Sequence, residues 1–314
     1  MMRHCARLLC IVLLAAGCGG GVSPGGGSDL AYASLDGIAR KVAAEEKAIY
    51  GDDDRRETYE VDDPDMLRNV RATVALLSKN SAVPSQTEWK LAGDTLGVQQ
   101  RLCPNERFHD QPAVAFCTGF LIASDLIATA AHCLVSPEQH QVLVAFDYEL
   151  GGPGAMPLAI PASSLYHGTQ VVARRLKRGG EDWAIVRLDR EVLDREPVQL
   201  SRTPIAEGTP LYLVGHPSGL PKKVAPMGYV FHNEAPSHFV TNLDSFQGNS
   251  GSMVVNWRTH EVEGILVRGS VDFVGSKCTR ALRCPRDPQR GGGAYCGGEA
   301  VTRIGSVLAA LEER

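Results

Sequence analysis

From about residue 70 the chain is a succession of short apolar runs rich in β-branched and aromatic residues, each closed by Gly, Pro, Asp or Ser. RATVALL (71–77), FCTGFLIAS (116–124), DLIATAA (125–131), HQVLVAF (140–146) and DWAIVRL (182–188) have strand length and strand composition. TPLYLVGHPSG (209–219), PMGYVFH (226–232), HFVTNL (238–243), SMVVNW (252–257) and VEGILVRGS (262–270) continue the series. No long amphipathic helices alternate with these runs, which argues against a parallel α/β sheet and for a barrel or sandwich. The closing VTRIGSVLAALEER places Ile304, Val307, Leu308 and Leu311 at helical spacing, which predicts a C-terminal helix docked by one apolar face. No internal repeat of fixed period is present.

The N-terminus has a different pattern. Arg3 and Arg7 precede an apolar stretch from Leu8 to Ala16, too short to span a bilayer but suited to an export signal over residues 1–17. The following LAAGC resembles a bacterial lipobox, with Ala15 where Leu is usual. The resemblance implies lipidation of Cys18, and Gly19 in place of Asp hints at the outer membrane. Residues 19–28 (GGGVSPGGGS) form a flexible tether. Residues 29–46 carry Leu35, Ile38 and Val42 in a short helix-like pattern, a propeptide or docking segment. GDDDRRETYEVDDPD (51–65) is a turn-rich acidic loop, and Asp52, Asp53 and Asp54 lack the spacing of a calcium loop.

Composition adds limits. With 44% hydrophobic and 22% charged residues the chain is ordinary globular material, long enough for one large or two small domains. A net charge of −4 argues against a nucleic-acid partner, and the basic run Arg174, Arg175, Lys177 and Arg178 is expected to be a solvated loop. Of nine cysteines, Cys5 and Cys10 leave with the signal and Cys18 is the anchor. Cys103, Cys117, Cys133, Cys278, Cys284 and Cys296 remain, an even set that in an exported chain reads as disulfides rather than metal ligands. No metal or other cofactor is called for.

Amide hydrolysis by a serine needs a base, a carboxylate to orient the base, and donors for the oxyanion. ATAAHC supplies His132, EDWAIVRL supplies Asp182 and GNSGS supplies Ser250, in that order along the chain. The α/β-hydrolase elbow G-x-S-x-G fails here because residue 252 is Ser. A lone Ser in a Gly-rich turn is usually structural; the ordered partners are what single out Ser250. His109, His140, His167, His216, His232, His238 and His260 lack such a context and are surface or packing residues. Trp183 and Ile185 belong to the core.

These motifs together resemble trypsin/chymotrypsin-fold serine peptidases, and more closely the bacterial glutamyl-endopeptidase-like branch. The similarity runs from about residue 47 to the end of the chain. It implies two antiparallel six-stranded β-barrels with a C-terminal helix, a catalytic triad of His132, Asp182 and Ser250, and an oxyanion hole of Gly248 and Ser250 N–H groups. It also implies a Cys117–Cys133 disulfide bracing the histidine loop, polypeptide substrates and a monomeric enzyme. AIYGDDDRR resembles the mature start of that branch, which makes trimming near residues 46–49 an expectation.

The family pattern breaks in places. Trypsin has an Asp before its nucleophile, to pair with a new N-terminus; this chain has Asn249, so its amide is expected to hold the loop by hydrogen bonds without a buried ion pair. Ungapped spacing puts Asp244 and Ser245 at the base of the substrate pocket, which favours cleavage after Lys or Arg. Asp244 in the glutamyl branch need not read substrate, however. Val267, Arg268 and Gly269 fall on the pocket strand, where Leu266 or Val267 replaces that branch's His. Arg268 would reach an acidic substrate group or cover Asp244, and Glu299 is another pocket acid. Cys103, Cys278, Cys284 and Cys296 allow three pairings; the preferred one closes a bridge within the 278–296 insertion and ties the other to Cys103. The competing reading of the whole chain is an inactive peptidase-fold binding lipoprotein of the cell envelope.

Overall fold

The computed structural model describes residues 48–135, 142–269, 271–287 and 296–313. The signal segment, Cys18, the tether and the helix-like stretch 29–46 lie outside these residues, as does His140.

Six strands close the first barrel: β1 (Thr73–Leu77), β2 (Ala115–Ala123), β3 (Leu126–Thr129), β4 (Leu143–Ala145), β5 (Leu165–Leu176) and β6 (Asp182–Leu188). Their order around the barrel is β1-β2-β3-β6-β5-β4 and back to β1. Six more make the second: β7 (Pro210–Gly215), β8 (Lys223–His232), β9 (His238–Thr241), β10 (Met253–Asn256), β11 (Val262–Arg268) and β12 (Glu299–Arg303). Their order, β7-β8-β9-β12-β11-β10, repeats the first barrel's, and β7 pairs with both β8 and β10 to close the ring. All these pairings are antiparallel. The fold is chymotrypsin-like.

The apolar runs are continuous because many strands are buried on both faces. Along β10, Val254 enters the interior of the second barrel with Leu213, Phe239, Leu266 and Val301. Its neighbours Met253 and Val255 point the other way, into a core shared with Phe120, Ile127, Trp183 and Ile185 of the first barrel. The C-terminal helix α2 (Gly305–Glu312) adds Val307 to the same shared core. A helix at Pro64–Ala72, α1, leads into β1; Asp63 caps it by accepting from the Asp65 and Met66 N–H groups at 2.9 Å each, and Pro64 opens it.

Two of the twelve barrel strands went unread in the sequence. β5 is largely polar and half-exposed, and is a strand because β4 and β6 pair with it on either side. Arg174 and Arg175 therefore sit on β5 opposite Ala184 and Trp183, rather than in a solvated loop. β12 occupies residues whose spacing suggested the start of the last helix; pairing to β9 and β11 overrides that tendency, and the helix begins only at Gly305. The acidic stretch 51–65 is likewise not a solvated loop throughout. The Asp53 and Arg55 side chains are 5% and 3% exposed and joined at 2.7 Å, and Arg107 reaches Asp53 at 2.9 Å. Burial works to raise the Asp53 carboxyl, but the two arginines hold it below the ordinary range.

Three disulfides complete the frame: Cys117–Cys133, Cys103–Cys278 and Cys284–Cys296. The last two follow the preferred pairing, one bridge inside the insertion and one to Cys103. Three bridges mark a chain folded outside the reducing cytosol. Among the described residues no helix is long and apolar enough to cross a membrane.

Candidate active site

His132 lies on a tight turn, Ala131–Leu134, directly after β3. The Cys133–Cys117 bridge ties this turn to β2. Asp182 opens β6 and is fully buried, its backbone N–H held by the Thr302 hydroxyl at 3.2 Å. Its two carboxylate oxygens both address His132: Oδ2 lies 2.7 Å from the ring Nδ1, and Oδ1 accepts the His132 backbone N–H at 3.1 Å. An ionised carboxylate has only acceptors, so this contact puts a proton on Nδ1 and leaves Nε2 as the lone-pair nitrogen of the neutral ring.

Ser250 comes from the opposite barrel, in the loop between β9 and β10, and is 7% exposed. Its carbonyl accepts the Thr118 N–H at 2.9 Å and faces the Cys133 sulfur at 3.7 Å, beside His132. Glycine is required on both sides. Gly248 has φ +91° and a Cβ there would stand 2.6 Å from the His216 carbonyl; Gly251 has φ +90° and a Cβ would stand 2.0 Å from the Thr118 carbonyl. The Gln247 carbonyl accepts from the Ser218 N–H. A trans peptide sets its C=O and N–H on opposite sides, so the Gly248 N–H points away from the turn at 216–219.

Asn249 is 1% exposed. Its side-chain NH₂ donates to the Ser245 hydroxyl at 3.0 Å, and its Oδ1 accepts from the Ser252 hydroxyl at 3.4 Å. The Asn249 side chain is thus held by neutral hydrogen bonds.

Asp244 faces its own chain. It accepts the Tyr50 N–H at 2.7 Å and the Asp54 N–H at 3.2 Å. Burial pushes its carboxyl up to about 7 against those bonds. The same segment, 48–54, forms a wall of the region: Ser245 N–H donates to the Ala48 carbonyl at 3.1 Å, and Ala48 N–H donates to the buried Glu299 carboxylate at 3.3 Å. Arg268 is buried and its guanidinium donates to the Gly180 carbonyl at 3.3 and 3.4 Å. Val267 beside it is buried in the shared core, and Gly269 is half-buried. Neither the Asp272 carboxylate, which accepts the Gln247 N–H at 2.8 Å, nor the Ser218 N–H has a local motif in the sequence to reveal it.

Among the described residues two groupings resemble metal sites by distance alone. In Cys117, His132 and Cys133 the sulfurs are spent in the disulfide. In Asp63, Asp65 and His260, Asp63 caps α1 and Asp65 pairs with Arg68.

Residues 117–265 match a family model described as the trypsin-like peptidase domain. No curated protein matches the chain significantly. A solved structure of a Glu endopeptidase in complex with MPD is similar at TM-score 0.51 and 14% identity, covering 84% of this chain and 98% of the other. The active form of the Rv3671c protease from M. tuberculosis is similar at TM-score 0.45 and 17% identity, over 79% and 83%.

Proposed function

Because the chain carries a trypsin-like peptidase domain on a chymotrypsin-like fold, we propose that it is an exported serine endopeptidase working through an acyl-enzyme. The observation that supports this best is the buried carboxylate of Asp182 bonded to both the ring and the backbone of His132, beside the Ser250 loop.

In this reading Ser250 Oγ attacks the scissile carbonyl carbon while His132 Nε2 takes the hydroxyl proton. The carbonyl π electrons move onto oxygen, which the Gly248 and Ser250 N–H groups stabilise. Collapse breaks the C–N bond, and the imidazolium returns the proton to the leaving amine. Water, deprotonated by the same Nε2, then cleaves the ester and restores Ser250. Asp182 keeps its charge throughout and holds the tautomer that both steps need.

The substrates proposed are polypeptides, taken by a monomer tethered through a lipidated Cys18. Ser245, Val267, Arg268 and Gly269 are proposed to border the substrate pocket. Asp244 has its oxygens turned to Tyr50 and Asp54, so a simple basic preference finds no support in its contacts. A peptide-library digestion, wild type against Ser250→Ala, tests the reading and gives the residue before each cut. Cleavage lost in the variant supports it. No cleavage by either protein, with no labelling of Ser250 by a fluorophosphonate, would replace it with the binding-protein reading.

A further inference from the structure

Thr118, on β2 of the first barrel, is fully buried and engages all its polar atoms across the barrel boundary or the histidine hairpin. Its N–H donates to the Ser250 carbonyl at 2.9 Å and its carbonyl accepts the Thr129 hydroxyl at 2.6 Å. Its own hydroxyl bridges two loops of the second barrel: it accepts the His216 N–H at 3.0 Å and donates to the Gly248 carbonyl at 2.8 Å.

We propose that the Thr118 hydroxyl is a positioning residue for the oxyanion hole, acting through Gly248. The inference rests on the peptidase reading. Hydrogen bonds pin both peptide planes that flank Gly248, and in the second plane the Asn249 N–H also donates to the Phe246 carbonyl at 3.0 Å. Ser218 N–H holds the Gln247 carbonyl on one side, and Thr118 Oγ1 holds the Gly248 carbonyl on the other. A glycine at φ +91° has no side chain to restrict it, so its neighbours must supply the restraint. Without the Thr118 bond, the plane between Gly248 and Asn249 keeps only the Asn249 N–H bond to the Phe246 carbonyl, and the Gly248 backbone behind the N–H aimed at the developing oxyanion loses part of its restraint. The same hydroxyl binds His216, the first residue of the turn that carries Ser218, so one oxygen supports both pins. Thr118 touches neither the substrate nor the reacting atoms; its effect is confined to a charge that exists only in the transition state.

Thr118→Val keeps the shape of the side chain and removes the hydroxyl; Thr118→Ser keeps the hydroxyl. Active sites are titrated with a fluorophosphonate so that kcat refers only to folded, reactive enzyme. Loss of Ser250→Ala-sensitive cleavage in the wild type itself would overturn the peptidase reading and this inference together. With wild-type turnover established, Thr118→Val is expected to lower kcat per titrated site by about tenfold to a hundredfold with KM changed by less than about twofold. Affinity for a peptide boronate, whose adduct places an oxygen in the oxyanion hole, should fall in parallel, and Thr118→Ser should recover kcat to within about threefold of wild type. Wild-type kcat in Thr118→Val, or equal impairment in Thr118→Ser, overturns the proposal while leaving the peptidase reading intact. If the valine protein does not fold, Thr118→Ala against Thr118→Ser is judged by the same criteria.

Discussion

The Asn249 side-chain amide donates to the Ser245 hydroxyl at 3.0 Å, and both groups are buried. The bond closes the turn that presents Ser250 and involves no formal charge. Asn249→Asp would put a carboxylate there with no cation among the partners shown for Asn249, and burial would raise its pKa. A group whose folded pKa is raised loses its contribution as pH climbs through that value. The variant should therefore melt closer to wild type at pH 5 than at pH 8. Equal melting deficits at both values would show that the site tolerates the charge. Asn249→Ala, which strands two hydroxyls, is expected to cost about 1–3 kcal/mol of stability.

Asp182→Asn keeps the size of the side chain but can donate to His132 and so favour the wrong tautomer. By analogy with triads of this design, kcat should fall by about four orders of magnitude. Labelling by a fluorophosphonate should slow in step, and the melting temperature is the control for folding. Retention of more than a tenth of the wild-type rate would remove Asp182 from the mechanism.

The Asp244 carboxyl, raised to about 7 by burial, sets a pH dependence of stability. Between the unfolded carboxyl's range, near pH 4, and about 7, the folded protein holds a proton that the unfolded chain has released. Its contribution is fullest below pH 4 and declines as pH rises towards about 7 and beyond. Urea unfolding of wild type and Asp244→Asn across pH 4–9 should show the wild type losing stability relative to the variant as pH rises. A constant difference would mean that Asp244 does not titrate in this window.

Removing Cys103 and Cys278 together opens a link across 175 residues, whereas Cys284 and Cys296 span 12. Chain entropy makes the first loss the larger, within about 2–5 kcal/mol for a native bridge. Cys284 also pairs with Tyr50, so the second loss should show itself locally, as proteolysis near residues 48–51. Paired Cys→Ser variants, compared by melting and limited proteolysis, separate the two effects.

Ten of the twelve barrel strands announced themselves as apolar runs, most of them because both of their faces are covered. β5 and β12 did not. The first has a polar composition and the second a helical spacing, and in both the hydrogen bonds of neighbouring strands settle the conformation. His132, Asp182 and Ser250 were legible for another reason: each sits in a short local motif at a strand end, where the fold gives it a direction.

Local composition, strand-length apolar runs and ordered motifs carried the fold class, the order of His132, Asp182 and Ser250 along the chain and the even set of cysteines. These depend on residues close in sequence, or on counts. The partners of Asp244 are 190 and 194 residues away, those of Thr118 Oγ1 are 98 and 130 away, and no period or spacing links them. Only closure of two barrels against each other brings such groups within hydrogen-bonding distance. That closure brings the Asp244 carboxylate to the Tyr50 and Asp54 N–H groups, and an unremarked strand threonine to the Gly248 carbonyl.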